Sequence, residues 1–153
     1  MSRRKARELA LQALFQMDIA GTDPDTAVAQ ALTRETEPDW APDRLPEESA
    51  AFARELVRGA WQHREESDRL IAQYARGWRV ERMAAVDRAI LRMAVYEIVH
   101  SEDVPDSVAV DEAVELAKAF STADSPRFVN GILGSVIRGT KGAAGADEAV
   151  SRD

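Results

Sequence analysis

The stretch that decides the fold is MAAVDRAILRMAVYEIV, residues 83–99. Its apolar positions are Val86, Ala89, Ile90, Leu91, Met93, Ala94, Val95, Tyr96 and Ile98, and at about 100° per residue they cannot share one face. A helix apolar around nearly its whole circumference belongs in the middle of a bundle. Its polar residues are Asp87, Arg88, Arg92 and Glu97. Arg88 and Arg92 stand four apart and are therefore neighbours. Like charges side by side need an acid from elsewhere, so this side is either a salt-bridged seam with another helix or a docking face.

Outward from this helix, the rest also reads as helical. Only 8 glycines and 6 prolines occur in 153 residues, alternating β-branched runs are scarce, and Ala, Leu, Glu and Arg abound. The spacing predicts a first helix from about Arg3 to Ala20, ended by Gly21, with a new start at Asp23-Pro24 and a second helix over about Asp25–Glu35. Residues Thr36–Pro46 hold three prolines around Trp40 and read as a surface loop whose tryptophan docks back onto the body. A long helix follows over about Glu47–Arg76, with Phe52, Leu56, Ala60, Ile71, Tyr74 and Trp78 at helical steps. Its polar middle, His63–Arg69, is expected to project past the core. Pro105 and Asp106 break the central helix, and a helix over about Asp111–Phe120 buries Ala113, Val114, Ala117 and Phe120. Ser125-Pro126 reads as a cap followed by a helix-starting proline, opening a last helix that ends near Gly139. Residues 140–153 are too poor in apolar area to pack and read as a flexible acidic tail, leaving 1–139 as one folded domain.

Composition removes several classes of function. Cysteine is absent and histidine occurs only at His63 and His100, far apart in sequence, so the expectation is that thiol chemistry and any Cys/His zinc site are excluded. No GxxxxGK[ST] or GxGxxG loop is present to cradle a nucleotide. The acidic groups Glu65, Glu66 and Asp68, and Asp111, Glu112 and Glu115, have the spacing of solvated helix faces. Neither an enzyme nor a cofactor or metal is expected. The N-terminus has no uninterrupted apolar signal core, and no segment suits a bilayer, so the expectation is a soluble, cytoplasmic chain without membrane partners.

The net charge of −7 argues on its face against polyphosphate partners. The charge is segregated, however. Residues 1–20 set Arg3, Arg4, Lys5 and Arg7 against Glu8 and Asp18, a surplus of two positives, so the remainder carries nine net negatives. On the first helix Ala6, Leu9, Ala10, Ala13 and Met17 form the core side, while Arg4, Leu11 and Phe15, flanked by Arg7, form a second stripe. Guanidinium groups grip phosphates and an aromatic ring stacks on an unpaired base, which is the chemistry of single-stranded RNA contact. The alternative is that Phe15 packs beneath a neighbouring helix and the arginines are merely hydrated. The second such segment is FSTADSPRFVNG, residues 120–131, where Phe120 and Phe128 flank a polar turn bearing Arg127 at a helix N-terminus. Phe128 is open to a core or a ligand role. Asn130 and Gly131 interrupt an apolar helix and suggest close packing against another backbone.

Several blocks together are distinctive: RRKARE at 3–8, ALQALF at 10–15, Phe52 followed by ELVRG at 55–59, DRAILRMAVYE at 87–97, Val104-Pro105, DEAVELAKAF at 111–120 and FVNGIL at 128–133. In this order and spacing the chain resembles the NusB transcription-antitermination family over about Arg3–Arg138. The resemblance implies an all-α NusB-like fold of about seven helices in two packed lobes. It implies a partner, the small-subunit ribosomal protein NusE, and single-stranded boxA RNA in ribosomal RNA leaders, bound as part of an antitermination complex on RNA polymerase. The RNA-binding residues it implies are Arg3, Arg4, Lys5, Arg7, Phe15, Phe120, Asp124, Arg127 and Phe128, on one positive, ring-bearing surface. Phe15 and Asp87 fall toward NusE, and the free chain is expected to be a monomer or a homodimer. A protein-only adaptor whose basic helix docks on an acidic partner is the main rival, and an enzyme a distant third.

Overall fold

Gly21 takes φ +72°, a left-handed backbone conformation that L side chains resist, and its N–H donates to the Met17 carbonyl at 2.9 Å. It closes α1 (Ser2–Ala20) where the sequence predicts. Two residues on, Asp23 Oδ2 accepts from the Thr26 N–H at 3.1 Å and Pro24 opens α2 (Pro24–Arg34), where its missing N–H costs nothing. Hydrogen bonds from Thr26, the side chain's first and the backbone's second, hold the Asp23 carboxyl below its ordinary range.

The computed structural model describes residues 2–34, 46–75 and 79–141. The expected Trp40 loop, Trp78 and all of the expected tail beyond Lys141 lie outside them. The chain divides into two compact units, Met1–Gln62 and His63–Asp153. Among the described residues there are seven α-helices, one short 3-10 turn and no strand. None of these helices is long and apolar enough to cross a membrane.

In the first unit, α1 packs on α2 and on α3 (Glu47–Gln62), and those two also touch. Small buried residues, Ala6, Ala10 and Ala13 on α1, Ala27 and Ala31 on α2, and Ala53 and Ala60 on α3, let the backbones approach closely. Leu9, Leu14, Met17, Leu56 and Val57 fill the space between. Arg58 ties α3 to α2 through Asp25 at 2.8 Å.

The second unit is built around α5 (Ala85–His100), as residues 83–99 foretell. It contacts α4 (Arg64–Tyr74), α6 (Asp106–Phe120) and α7 (Ser125–Thr140), and buries Ala89, Ile90, Leu91, Met93, Ala94, Val95 and Ile98. The arginine side is a seam. Arg92 donates from Nε and Nη2 to the two carboxylate oxygens of Asp68 on α4, at 2.8 and 2.7 Å. Arg88 Nη1 donates to the carbonyls of Val80 and Met83 at 3.1 and 3.2 Å, bracing the 3-10 turn Val80–Arg82.

Four expectations about the elements are corrected. The long helix over 47–76 is two helices, interrupted at His63, whose φ −98° and ψ 15° leave the helical region. The polar stretch 63–69 does not project past the core: Ser67 is buried, and Asp68 and Glu66 are engaged by α5 side chains, which satisfy polar groups that periodicity alone assigns to water. Pro105 begins α6 rather than merely ending α5, because its carbonyl accepts from the N–H groups of Val108 and Ala109 at 3.0 and 3.1 Å. The expected cap Ser125 is the first residue of α7, and its hydroxyl is spent elsewhere.

Candidate nucleic-acid interface

The basic start of α1 is only partly outward. Arg3 and Arg4 are exposed and Lys5 half-buried, but Arg7 is 3% exposed. The Cζ atoms of Arg3 and Arg7 lie 4.6 and 5.2 Å from the centroid of the Phe52 ring on α3. Four residues apart, they face the same helix, and the ring's negative face attracts both cations. Arg7 is therefore withdrawn from the outward strip. Leu11 is withdrawn too, at 4% exposure, because α1 is covered by two helices rather than one. Phe15 stays outside at 37% exposure. One turn further on, Ile19 is 64% exposed, and sequence reasoning missed it because periodicity gives it no special status.

The turn between α6 and α7 is the second candidate. In α6 the buried residues are Ala109, Ala113, Leu116 and Ala117, while Val114 is half-buried and Phe120, expected to bury, is 46% exposed as the helix's last residue. Thr122, Asp124 and Arg127 are exposed and Phe128 is half-buried. Asp124 precedes α7 without capping it through its side chain. The turn is held from within by Asp87 of α5. Its Oδ1 accepts from Ser121 Oγ at 2.7 Å and its Oδ2 from Ser125 Oγ at 3.0 Å. The Ser125 hydroxyl also lies 2.9 Å from those of Ser121 and Thr122.

Asp87, Thr122, Asp124, Ser125 and Phe128, with Met83 and Ala84, line a pocket of about 250 Å³. That is somewhat below the roughly 300–1,000 Å³ typical of whole small-molecule ligands, and fits one inserted ring or side chain. Asp87 is 9% exposed, so its carboxylate acts mainly by fixing the turn. Asn130 and Gly131 overturn the expectation of close packing. Both are exposed, and a Cβ on Gly131 would meet nothing within 4 Å.

The two histidines, remote in sequence, are stacked in space with ring centroids 4.0 Å apart. His100 Nε2 lies 2.6 Å from Glu66 Oε1, and His63 Nδ1 lies 3.8 Å from the same oxygen. The hydrogen bond with His100 holds the Glu66 carboxyl below its ordinary range. Glu66 is thus not the solvated acid that its spacing suggests.

Compared with known proteins, the family model described as NusB matches residues 4–138. This chain belongs to the NusB family. A relative from Symbiobacterium thermophilum, named transcription antitermination protein NusB, is 95% identical over 153 residues, all of both chains. The solved NusB of T. maritima superposes with a TM-score of 0.76 at 32% identity, covering 88% of this chain and 89% of that one. A solved complex of antitermination factors NusB and NusE with dsRNA contains a chain of the same fold, with a TM-score of 0.77 at 24% identity over 88% of this chain and 95% of that one. The chain is thus a member of the NusB family whose described residues form helices and no strand. The residues that the resemblance marks out divide between its two units, Arg3 to Phe15 in the first and Asp87 to Phe128 in the second.

Proposed function

We propose that this chain is a cytoplasmic transcription antitermination factor. It binds boxA-type single-stranded RNA of ribosomal RNA leaders together with NusE, and helps assemble the antitermination complex on RNA polymerase. The name of the 95% identical relative and the NusB–NusE–dsRNA complex support the class of activity. The observation that carries the reading is the exposure of Phe120, at 46%, on a turn whose Asp124 and Arg127 are also exposed. An exposed ring on a turn that also carries an exposed arginine suits an unpaired base and its phosphate, whereas a protein core would have covered the ring.

Arg3, Arg4, Lys5 and Arg127 neutralise phosphates, Phe120 stacks on a base, and Phe128 walls the pocket beside it. Asp124, at the mouth of that pocket, accepts hydrogen bonds from base amino groups. Asp87 positions the turn. Phe15, which the resemblance implies for both RNA and NusE, has the exposed aliphatic Ile19 one turn away. An aliphatic side chain offers nothing to a phosphate strand, which favours NusE for this pair.

Gel shifts with boxA RNA and a scrambled control, with and without NusE, test the reading. The expected outcome is preference for boxA, strengthened by NusE. Phe120→Ala weakens it by about 1–3 kcal/mol, the worth of one base–aromatic stack. Equal affinity for both RNAs in both conditions replaces this reading with the protein-only adaptor.

A further inference from the structure

The chain contains two histidines and no cysteine, and the fold brings both histidines to one place. His63 stands just before α4, Glu66 lies in that helix's first turn, and His100 is the last residue of α5. One ligand atom from each, a ring nitrogen from either histidine and a carboxylate oxygen of Glu66, falls within 4.8 Å of the others. Tyr96, one turn before His100 on α5, stacks on both imidazoles, with centroids 5.8 Å from His63 and 5.6 Å from His100. The side chains of the triad are one-third to two-fifths exposed, open to solvent on one side.

We propose that His63, Glu66 and His100 form a binding site for a divalent transition ion of the zinc class, joining the start of α4 to the end of α5. The chemistry of the donor set argues for this. Two imidazoles and one carboxylate are ligands of borderline-soft Zn²⁺, while Ca²⁺ and Mg²⁺ prefer all-oxygen sets. The spacing is that of a site slightly open. Bonds of about 2.0–2.2 Å to nitrogen and oxygen place tetrahedral ligands a little over 3 Å apart. The 2.6 Å between His100 Nε2 and Glu66 Oε1 must lengthen, and the 3.8 Å between His63 Nδ1 and that oxygen must shorten.

The imidazole planes, now 25° apart, must also open so that each points a lone pair at the ion. Both motions are side-chain rotations of partly exposed groups, and neither moves a helix. The ion takes neutral imidazoles and a carboxylate, so each histidine must keep its N–H on the nitrogen facing away from the ion, and protons compete with the ion in acid and weaken binding. Three protein ligands leave a fourth position to water, on the exposed side. None of the three residues is among those assigned to RNA or NusE, so the failure of this site and of that reading are distinguishable.

The test uses the full chain after chelator treatment. Titration with Zn²⁺ is expected to saturate at one ion per chain and to raise the melting temperature with increasing free zinc. Nuclear magnetic resonance gives an unambiguous readout, because only two imidazoles exist and both must shift together. Replacement of zinc by Co²⁺ is expected to give the visible absorption of a low-coordinate nitrogen and oxygen site. His63→Gln, Glu66→Gln and His100→Gln each weaken affinity by about a hundredfold, at or beyond the upper end of a second-shell loss, with unchanged circular dichroism and unchanged boxA binding. The proposal fails if zinc leaves either imidazole unshifted in the wild-type chain, a result that needs no variant to fold. It fails equally if the three substitutions leave zinc affinity unaltered.

Discussion

Asp87 is nine-tenths buried, and each of its carboxylate oxygens accepts from a serine hydroxyl of the α6–α7 turn. A buried carboxylate keeps its charge cheaply only while its donors remain, and a hydrogen bond to a charged group is worth about 1.5–3 kcal/mol. Ser125→Ala removes one of the two donors to this carboxylate, so unfolding in urea is expected to show a loss of about 1.5–3 kcal/mol. Asp87→Asn, whose amide oxygen still accepts, is expected to lose less. A Ser125→Ala loss under about 0.5 kcal/mol would mean that the network shapes nothing. Single residues were the least legible part of the sequence. A helical wheel places Arg7 beside Arg4, but it cannot know that Phe52 on another helix holds the Arg7 guanidinium. Ser125 reads as a cap because local spacing shows no sign of Asp87, far upstream. Phe120 and Phe15 were recognisable as rings near cations, yet only tertiary packing decides which rings remain in solvent.

At the scale of elements, two glycines of α7 make opposite demands. An added Cβ on Gly131 meets open space, whereas on Gly139 it would lie 1.6 Å from Tyr74 Oη and 2.6 Å from its Cζ. Glycine in a helix costs roughly 0.5–1 kcal/mol relative to alanine, so Gly131→Ala is expected to stabilise by about that amount. Gly139→Ala must displace the Tyr74 ring where α7 meets α4, and overpacking of this kind costs about 1–3 kcal/mol. Adding Tyr74→Ala is expected to abolish that penalty, a coupling that a double-mutant cycle in thermal denaturation measures. Additive effects would show that Tyr74 is not the obstacle. Helix existence was readable throughout from period and composition, and Gly21 and Asp23-Pro24 marked a true boundary because their signals are local. The break at His63 was invisible, since neither glycine nor proline accompanies it. Pro105 reads as a stop in the sequence because proline signals a boundary without saying which side of it begins a helix.

For the whole molecule, the puzzle is that a chain proposed to bind RNA carries a net charge of −7. Among the described candidates, Arg3, Arg4 and Arg127 are exposed and Lys5 half so, while Arg7 is buried against Phe52. If only those four cations displace counterions, the slope of log affinity against log salt on single-stranded RNA is about −0.7 for each, or at most about −3. Residues 21–153 carry nine net negatives, a surplus that repels phosphate, adds nothing to that slope and suppresses adhesion to unrelated nucleic acid. Anisotropy titrations of labelled RNA over a salt series test this distribution of charge. Replacing Arg3 and Arg4 together by Ala is expected to make the slope shallower by about 1.4. Arg7→Ala lowers the melting temperature instead and leaves the slope where it was, because a guanidinium only 3% exposed cannot reach a phosphate and releases no counterion. A wild-type slope steeper than about −5, or an equal flattening by Arg7→Ala and Arg4→Ala, requires phosphate contacts well beyond these four residues and removes the basis for placing the RNA on them.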